Sequence, residues 1–455
     1  MLRVLAVLAT YAFGTAFGVR NAVIASCLFI WNDIFRPVSW ARRGSILSAP
    51  WFKPVHLCTA VLLCAVIFGP WKRRWNTTAT QIVIFVVWIW CLVITAIDRE
   101  LAVETVIMST KYFLPLAFIS ASLVDRRAQY LFTYALALSV GVWLIHYGVM
   151  TFFRQAQETA MAIPHGQMTE RNDFLVAGTA CLPMLCFMGW HYHGRHFRKP
   201  IRLLFKAGSV ISISAFFFSL SRGAIVGLAA LSVWYAIATG GILKRLPIAA
   251  VFVVIAFFAL PQQTIDRMMT IEVEGEQSEG SAANRIEHMK NAIDVTLKYP
   301  LTGVGPNNFW KHVSKYGGTA EPHSIWLKCS AEYGLPMLFF FLWIIGSLLL
   351  RLRNKARVAR ARGDKETESF CTMLSCAIVG FLATGTFTSQ FLSQYLWSIF
   401  ALAGAFLATP DDNPLQTVLP WEKEAPVMDY RAAHEGPDPE AAVPGGSVEQ
   451  RTPAV

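Results

Sequence analysis

AGSVISISAFFFSLSRGAIVGLAALSVWYAIAT, residues 207–239, is apolar almost throughout and too long to cross a membrane once. At about 1.5 Å per helical residue it would extend roughly 50 Å, against a hydrocarbon core of about 30 Å, so it must fold back inside itself. Its only polar break is Ser219-Leu220-Ser221-Arg222-Gly223. Two spans therefore meet there in a tight turn at one membrane face, with Arg222 where an anionic head group could sit. An arginine at a membrane edge is costly enough to mark a functional position. Its plainer role is to snorkel and anchor the turn.

The rest of the chain has the same character. Of 455 residues, 55% are hydrophobic and only 15% charged, with a mean hydropathy of +0.44. That balance excludes a soluble globular protein and predicts an all-α polytopic membrane protein with about 12–13 transmembrane helices. Spans are expected near residues 2–18, 20–36, 55–70, 80–97, 103–123, 128–149, 173–191, 203–220, 222–240, 246–260, 325–350, 370–387 and 389–408. The first could mimic a signal peptide, but so many spans follow that an uncleaved helix is expected. Organisation divides into an N-terminal bundle, 1–202, a second bundle, 203–408, that includes the loop 261–323, and a tail, 409–455. The tail is rich in Pro, Glu, Asp and Ala and reads as disordered and cytoplasmic.

The net charge of +11 would suggest nucleic acid in a soluble protein, but here the basic residues sit in short loops beside spans, so no nucleic-acid partner is expected. Trp71-Lys72-Arg73-Arg74, Asp125-Arg126-Arg127, Arg195 to Arg202, Lys244-Arg245 and Arg351 to Arg362 fall on alternate loops and can all be cytoplasmic together. Arg42, Arg43 and Lys53 would then lie outside, against the rule. The same orientation puts the Ser221-Arg222 turn, the segment 151–172, the loop at Asp98 to Glu100 and the long loop 261–322 on the outer face. The nine cysteines show no C-x-x-C pair and are expected as buried free thiols, without a disulfide framework or zinc site. Phosphate-loop motifs and paired broken spans are missing from the sequence, which weakens the ATPase and transporter readings.

The long outer loop predicts one amphipathic helix, from about Asn284 to Lys298, with Ile286, Met289, Ile293 and Leu297 along one side and Arg285, His288 and Lys290 facing elsewhere. Lying on the outer membrane face, it would place Arg285 near lipid head groups. Tyr299-Pro300 stops the helix, and Gly303-Val304-Gly305-Pro306-Asn307-Asn308 forms a turn. Next, Glu321-Pro322-His323-Ser324-Ile325-Trp326-Leu327-Lys328 carries charge into the start of a span. Lys328 and Glu332, four apart, are expected to pair with each other. His323 sits at the entry, either as a surface histidine or as a group that titrates near neutral pH. Lys111 shares a helical side with Glu104 and is a candidate phosphate contact or structural pair. Asn172 and Asp173 could touch sugar or cap a helix. His146 is expected to be a satisfied histidine within the membrane.

Taken together, SRGA at 221–224, the loop segment NRIEHMKNAIDVTLKYPLTGVGPNNF and HSIWLKCSAEYG opening the next span resemble the O-antigen ligase superfamily of bacterial inner-membrane glycosyltransferases. That superfamily includes lipopolysaccharide-core ligases, O-antigen polymerases and protein O-oligosaccharyltransferases. The resemblance covers roughly residues 203–345. Its pattern of His, then Asn/Ser/Gln, nine residues, Gly, two residues, then Gly/Thr/Tyr is met by His323, Ser324 and Gly334 and fails at Met337. The N-terminal half, with DRELAVETVIMSTKYF and the RNDFLVAGTACLPML span, is more loosely similar to O-glycosylation ligases that accompany exosortase systems, and PHGQMTERNDF departs from them.

The resemblance implies a ligase-like core at 203–408 and an inverting, metal-independent transfer with no cofactor. The donor would be an undecaprenyl-diphosphate-linked glycan, and the acceptor a hydroxyl, with lipid A core first among the candidates. Arg222 and Arg285 would bind the diphosphate, because a guanidinium fork fits phosphate oxygens and stays charged. His323 would orient or deprotonate the acceptor. Ser221, Lys111, Lys328, Glu332 and Asp173 are expected as substrate contacts. The competing class is a flippase or exporter of lipid-linked sugar, which would line a path through the midplane with buried charge.

Overall fold

The computed structural model describes residues 2–40, 53–69, 73–154, 171–191, 199–217, 219, 221–240, 282–314 and 321–410. The expected span at 246–260, the acidic connector before residue 282 and the tail beyond residue 410 lie outside these. Among the described residues every regular element is helical. In chain order they are α1 (Leu2–Gly18), α2 (Ala22–Ile30), α3 (Pro37–Trp40), α4 (Pro54–Phe68) and α5 (Thr77–Cys91). There follow α6 (Arg99–Ser122), α7 (Arg126–Arg154), α8 (Arg171–Cys186), α9 (Lys199–Phe217) and α10 (Arg222–Ala238). The last five are α11 (Ala282–Lys298), α12 (Phe309–Ser314), α13 (Ile325–Ala361), α14 (Lys365–Gly385) and α15 (Gln394–Ala408). A π-helical turn extends α2 through Trp31–Phe35, and another extends α8 through Phe187–His191.

Six of the described helices are long and apolar enough to cross a membrane, and six shorter apolar helices accompany them. The protein is a multi-pass membrane protein. The apolar runs become helices because a backbone in lipid must satisfy its own polar groups, and the polar residues between runs supply the caps. Asn21 accepts from the Val23 and Ile24 N–H groups, Asn76 from Ala79, Asp98 from Leu101 and Asp364 from Thr367. The run at 207–239 folds back as expected, with α9 ending at Phe217 and α10 starting at Arg222.

Segments on either side of residue 202 share one core. Phe85 of α5 stacks on Trp397 of α15 at 4.4 Å between ring centroids, and Phe113, Phe341 and Phe391 close around the pair. Large apolar side chains such as Phe68, Ile94, Leu204 and Phe339 stay exposed around the bundle, as lipid-facing positions do. All nine cysteines are free. Cys91 corrects the expectation of burial: it is exposed, because it continues the stripe of Ile84 and Val87 that faces away from the bundle.

The two ends of the bundle differ in chemistry. At one end the basic residues meet: Arg360 donates to Glu368 and to the Ala238 carbonyl at the end of α10, Arg126 lies 4.2 Å over the Phe406 ring, and Lys355 donates to the Phe406 and Thr409 carbonyls. At the other end stand the starts of α6, α8, α10 and α13, with α11 and α12 folded over them.

Candidate functional site

The site end is organised by a break in α13. Gly334 has φ 81° and ψ 168°, and Pro336 follows inside the same helix. Gly tolerates that conformation and Pro cannot donate, so backbone groups on both sides of the break lose their helical partners. The turn after α11 replaces them. Val304 N donates to the Ala331 carbonyl at 2.9 Å, Gly305 N to Glu332 at 3.1 Å, and Leu335 N donates to Pro300 at 2.7 Å. The approach is so close that a Cβ on Gly303 would lie 2.6 Å from the Ala331 oxygen. The side chain of Glu332, 2% exposed, accepts from the Asn307 N–H at 3.1 Å.

The other face of the turn is held by the loop before α6. Ile97 N donates to the Val304 carbonyl, and Asn308 binds both the N–H and the carbonyl of Asp98, at 2.7 and 3.2 Å. Asp98 also pairs with Lys311 of α12. The Leu101 N–H and the Lys311 ammonium together hold the Asp98 carboxyl below its ordinary value. The glycine-rich turn is thus clamped between two spans.

Helix α11 runs as expected over 284–298, but its packed face is not the apolar stripe. Ile286, Ile293 and Leu297 are exposed, while Ala292 and Val295 pack into a small core with Ala331, and Thr296 Oγ1 meets Ser330 Oγ at 2.9 Å. The inward face therefore follows Arg285, His288, Ala292 and Thr296, at three- and four-residue steps. An outward apolar stripe is what a helix lying at a membrane surface presents to lipid. The consequence at the site is direct: the His288 ring stacks on His323, with centroids 5.9 Å apart and planes at 27°.

His323 itself has φ 46°, a left-handed conformation that a non-glycine residue adopts at some cost. After it, Ser324 opens α13 and Lys328 points back toward the preceding segment. Lys328 Nζ lies 2.8 Å from Glu321 Oε2, its hydrogen-bonded partner, beside the expected electrostatic pairing with Glu332. Glu332 is engaged by the Asn307 N–H, so it contributes to Lys328 only through space, together with Glu321 and Asp173. Burial pushes the Glu321 carboxyl up, but the nearby Lys328 ammonium and its hydrogen bond outweigh that and leave it below the ordinary value. Lys328 and Glu332 are both buried. They hold the start of α13 in place.

Two further helix starts join this end. Ser221 Oγ donates to Asn172 Oδ1 at 2.9 Å, and it caps α10 by accepting from Ala224 N. Asn172 therefore ties α8 to the start of α10, and Asp173 beside it acts on Lys328. Gly223 lies against Phe387, where a Cβ would come within 3.4 Å, and the adjacent Thr386 accepts from Trp326 Nε1 at 3.0 Å. Arg222 thus begins its helix beside the loop that packs on the first turn of α13. Lys111 shares its side of α6 with Glu104, as the spacing implies, and both line a groove with Arg99, Glu100 and Met108. His146 is exposed on α7 and lies edge-on to Trp143 at 6.3 Å.

The structure adds Glu321 and His288 to the residues singled out from sequence. Among the described residues no group of three or more His, Cys, Asp or Glu side chains converges as a metal-binding set. Residues 207–342 match the O-antigen ligase family. That segment includes Ser221, Arg222, Arg285, His288, His323, Lys328 and Glu332, and leaves Lys111 and Asp173 outside. No curated protein matches the chain. The matched segment supplies the turn into α10, the clamped outer helix and the entry to α13, and over it the chain is similar to the O-antigen ligase family.

Proposed function

We propose that this protein moves a glycan from undecaprenyl diphosphate to an acceptor hydroxyl, first among them lipid A core, on the periplasmic face of the bacterial inner membrane. The enzyme is of the GT-C type, inverting and metal-independent. The observation that carries the proposal is that the family match coincides with the three elements that meet at one end: the Ser221-Arg222 turn, α11 with Arg285 and His288, and His323. Among the described residues Arg126, Lys355 and Arg360 gather at the opposite end, which supports reading this end as the outer one by the positive-inside rule.

The chemistry is one displacement. The acceptor oxygen attacks the anomeric carbon while the bond from that carbon to the diphosphate oxygen breaks. The acceptor proton passes to His323, and undecaprenyl diphosphate leaves with the bonding electron pair. Arg222 and Arg285 stabilise the charge that collects on the phosphate oxygens, an electrostatic task of the kind that dominates such reactions. Ser221, Asp173 and Lys111 are assigned to substrate contact, with Ser221 and Asp173 next to the Arg222 turn.

The test uses the purified chain in vesicles with a radiolabelled undecaprenyl-diphosphate oligosaccharide and cell-envelope acceptors. Label should leave the carrier with wild type, in excess chelator as well, and stay on it with His323→Ala. Carrier-linked glycan crossing the vesicle unconsumed would support transport and overturn the proposal.

A further inference from the structure

We infer that His288 is a second substrate-contacting imidazole at the His323 site, and that its Nδ1 binds the diphosphate of the donor. This rests on the glycosyltransferase reading above.

Three observations carry it. The two rings come from different elements, α11 and the entry to α13, and stack at 5.9 Å, so wherever His323 meets substrate, His288 lines the same space. Helix α11 is fixed there by Ala292 and Val295 in their core with Ala331 and by the Thr296 to Ser330 contact, so the ring cannot drift away. Finally, His288 Nδ1 is sealed from solvent with no hydrogen-bond partner among the described residues. A buried polar atom left unpaired is unfavourable, and such an atom beside a candidate base calls for a partner that the ligand supplies.

Position selects the ligand group. His288 lies one turn from Arg285 on the inward face of α11, so the two side chains form a short row. An arginine in that row suits phosphate oxygens, and an imidazole nitrogen beside it suits the next oxygen of the same diphosphate. His323, on the other side of the stack, then faces the acceptor.

The experiment measures donor and acceptor KM and kcat with an undecaprenyl-diphosphate oligosaccharide in vesicles. His288→Asn keeps a polar group where Nδ1 stands; His288→Gln places it where Nε2 would be; His288→Phe keeps the stacked ring without either nitrogen. Expected is a loss of about 10- to 100-fold in kcat/KM for the donor in His288→Phe and His288→Gln. His288→Asn should recover to within about threefold, and acceptor KM should be unchanged in all three. Donor kinetics in His288→Phe equal to wild type would overturn the inference, and so would His288→Asn as damaged as His288→Gln. If His288→Phe does not insert, the Asn and Gln variants decide alone: a difference between them supports the contact and equality refutes it. Wild type and His323→Ala run alongside. Failure of wild type to transfer glycan defeats the functional reading itself, whereas normal His288 variants beside an inactive His323→Ala defeat only this inference.

Discussion

Lys328 Nζ and Glu321 Oε2, 2.8 Å apart, join the first turn of α13 to the segment that leads into it. Glu321 has a lowered folded-state value, so its contribution is fully present above the ordinary glutamate value of 4.5 and is lost as pH falls through the lowered one. Thermal unfolding followed from neutral pH into acid should show wild type losing stability in that window. Glu321→Gln should start lower and change less there. An identical acid profile for the two proteins would mean that the pair contributes nothing.

The break in α13 depends on glycine. Gly334 holds φ 81°, and an added Cβ would lie 2.6 Å from the Leu301 carbonyl carbon. Gly334→Ala should destabilise the outer cap by roughly 2 kcal/mol or more, seen as faster protease cleavage between α11 and α13 and a lower melting temperature. Gly346→Ala, in the same helix where a Cβ meets nothing within 4 Å, should be neutral or slightly stabilising. Equal behaviour of the two variants would contradict the clamp.

Asn308 tests the other side of that clamp. Its amide binds the Asp98 N–H and carbonyl and the Pro306 carbonyl, and the side chain is fully buried. Asn308→Ala should lose about 1–3 kcal/mol, because Asp98 backbone groups are left without partners. Hydrogen exchange should rise at residues 96–98 and 303–308 together; a rise confined to one of them would show that the two segments are not coupled.

Arg222 separates an anchor from a ligand. Arg222→Lys keeps a long cation at the membrane edge but loses the planar fork. Donor consumption should fall about 10- to 100-fold, the size of one charge-assisted hydrogen bond, with membrane insertion unchanged. Full activity in Arg222→Lys would assign the residue to anchoring.

Span positions were legible in the sequence because lipid imposes a long apolar run on each helix, and the fold-back at Ser219 to Gly223 followed from length alone. The helix 282–298 was legible too, but not which face it packs. Its apolar residues Ile286, Ile293 and Leu297 stay exposed, while its packed face carries His288 and Ala292, the reverse of what burial in water would select. Glu321 was hidden for another reason: helical spacing offers Glu332 to Lys328, and Glu332 does act on it through space, but the hydrogen-bonded partner comes from outside the helix. The stacking of His288 on His323 depends on α11 folding back over α13, a tertiary relationship with no local signature.

The most direct measurement places the purified protein with an undecaprenyl-diphosphate oligosaccharide and, separately, lipid A core, a carrier-linked repeat unit and a serine-rich peptide, and reads the products by mass spectrometry. Glycosylated lipid A core, formed by wild type and lost in His323→Ala, is the predicted result. Product on the repeat unit or the peptide instead would keep the transferase and change the acceptor. An intact donor with every acceptor would contradict glycan transfer.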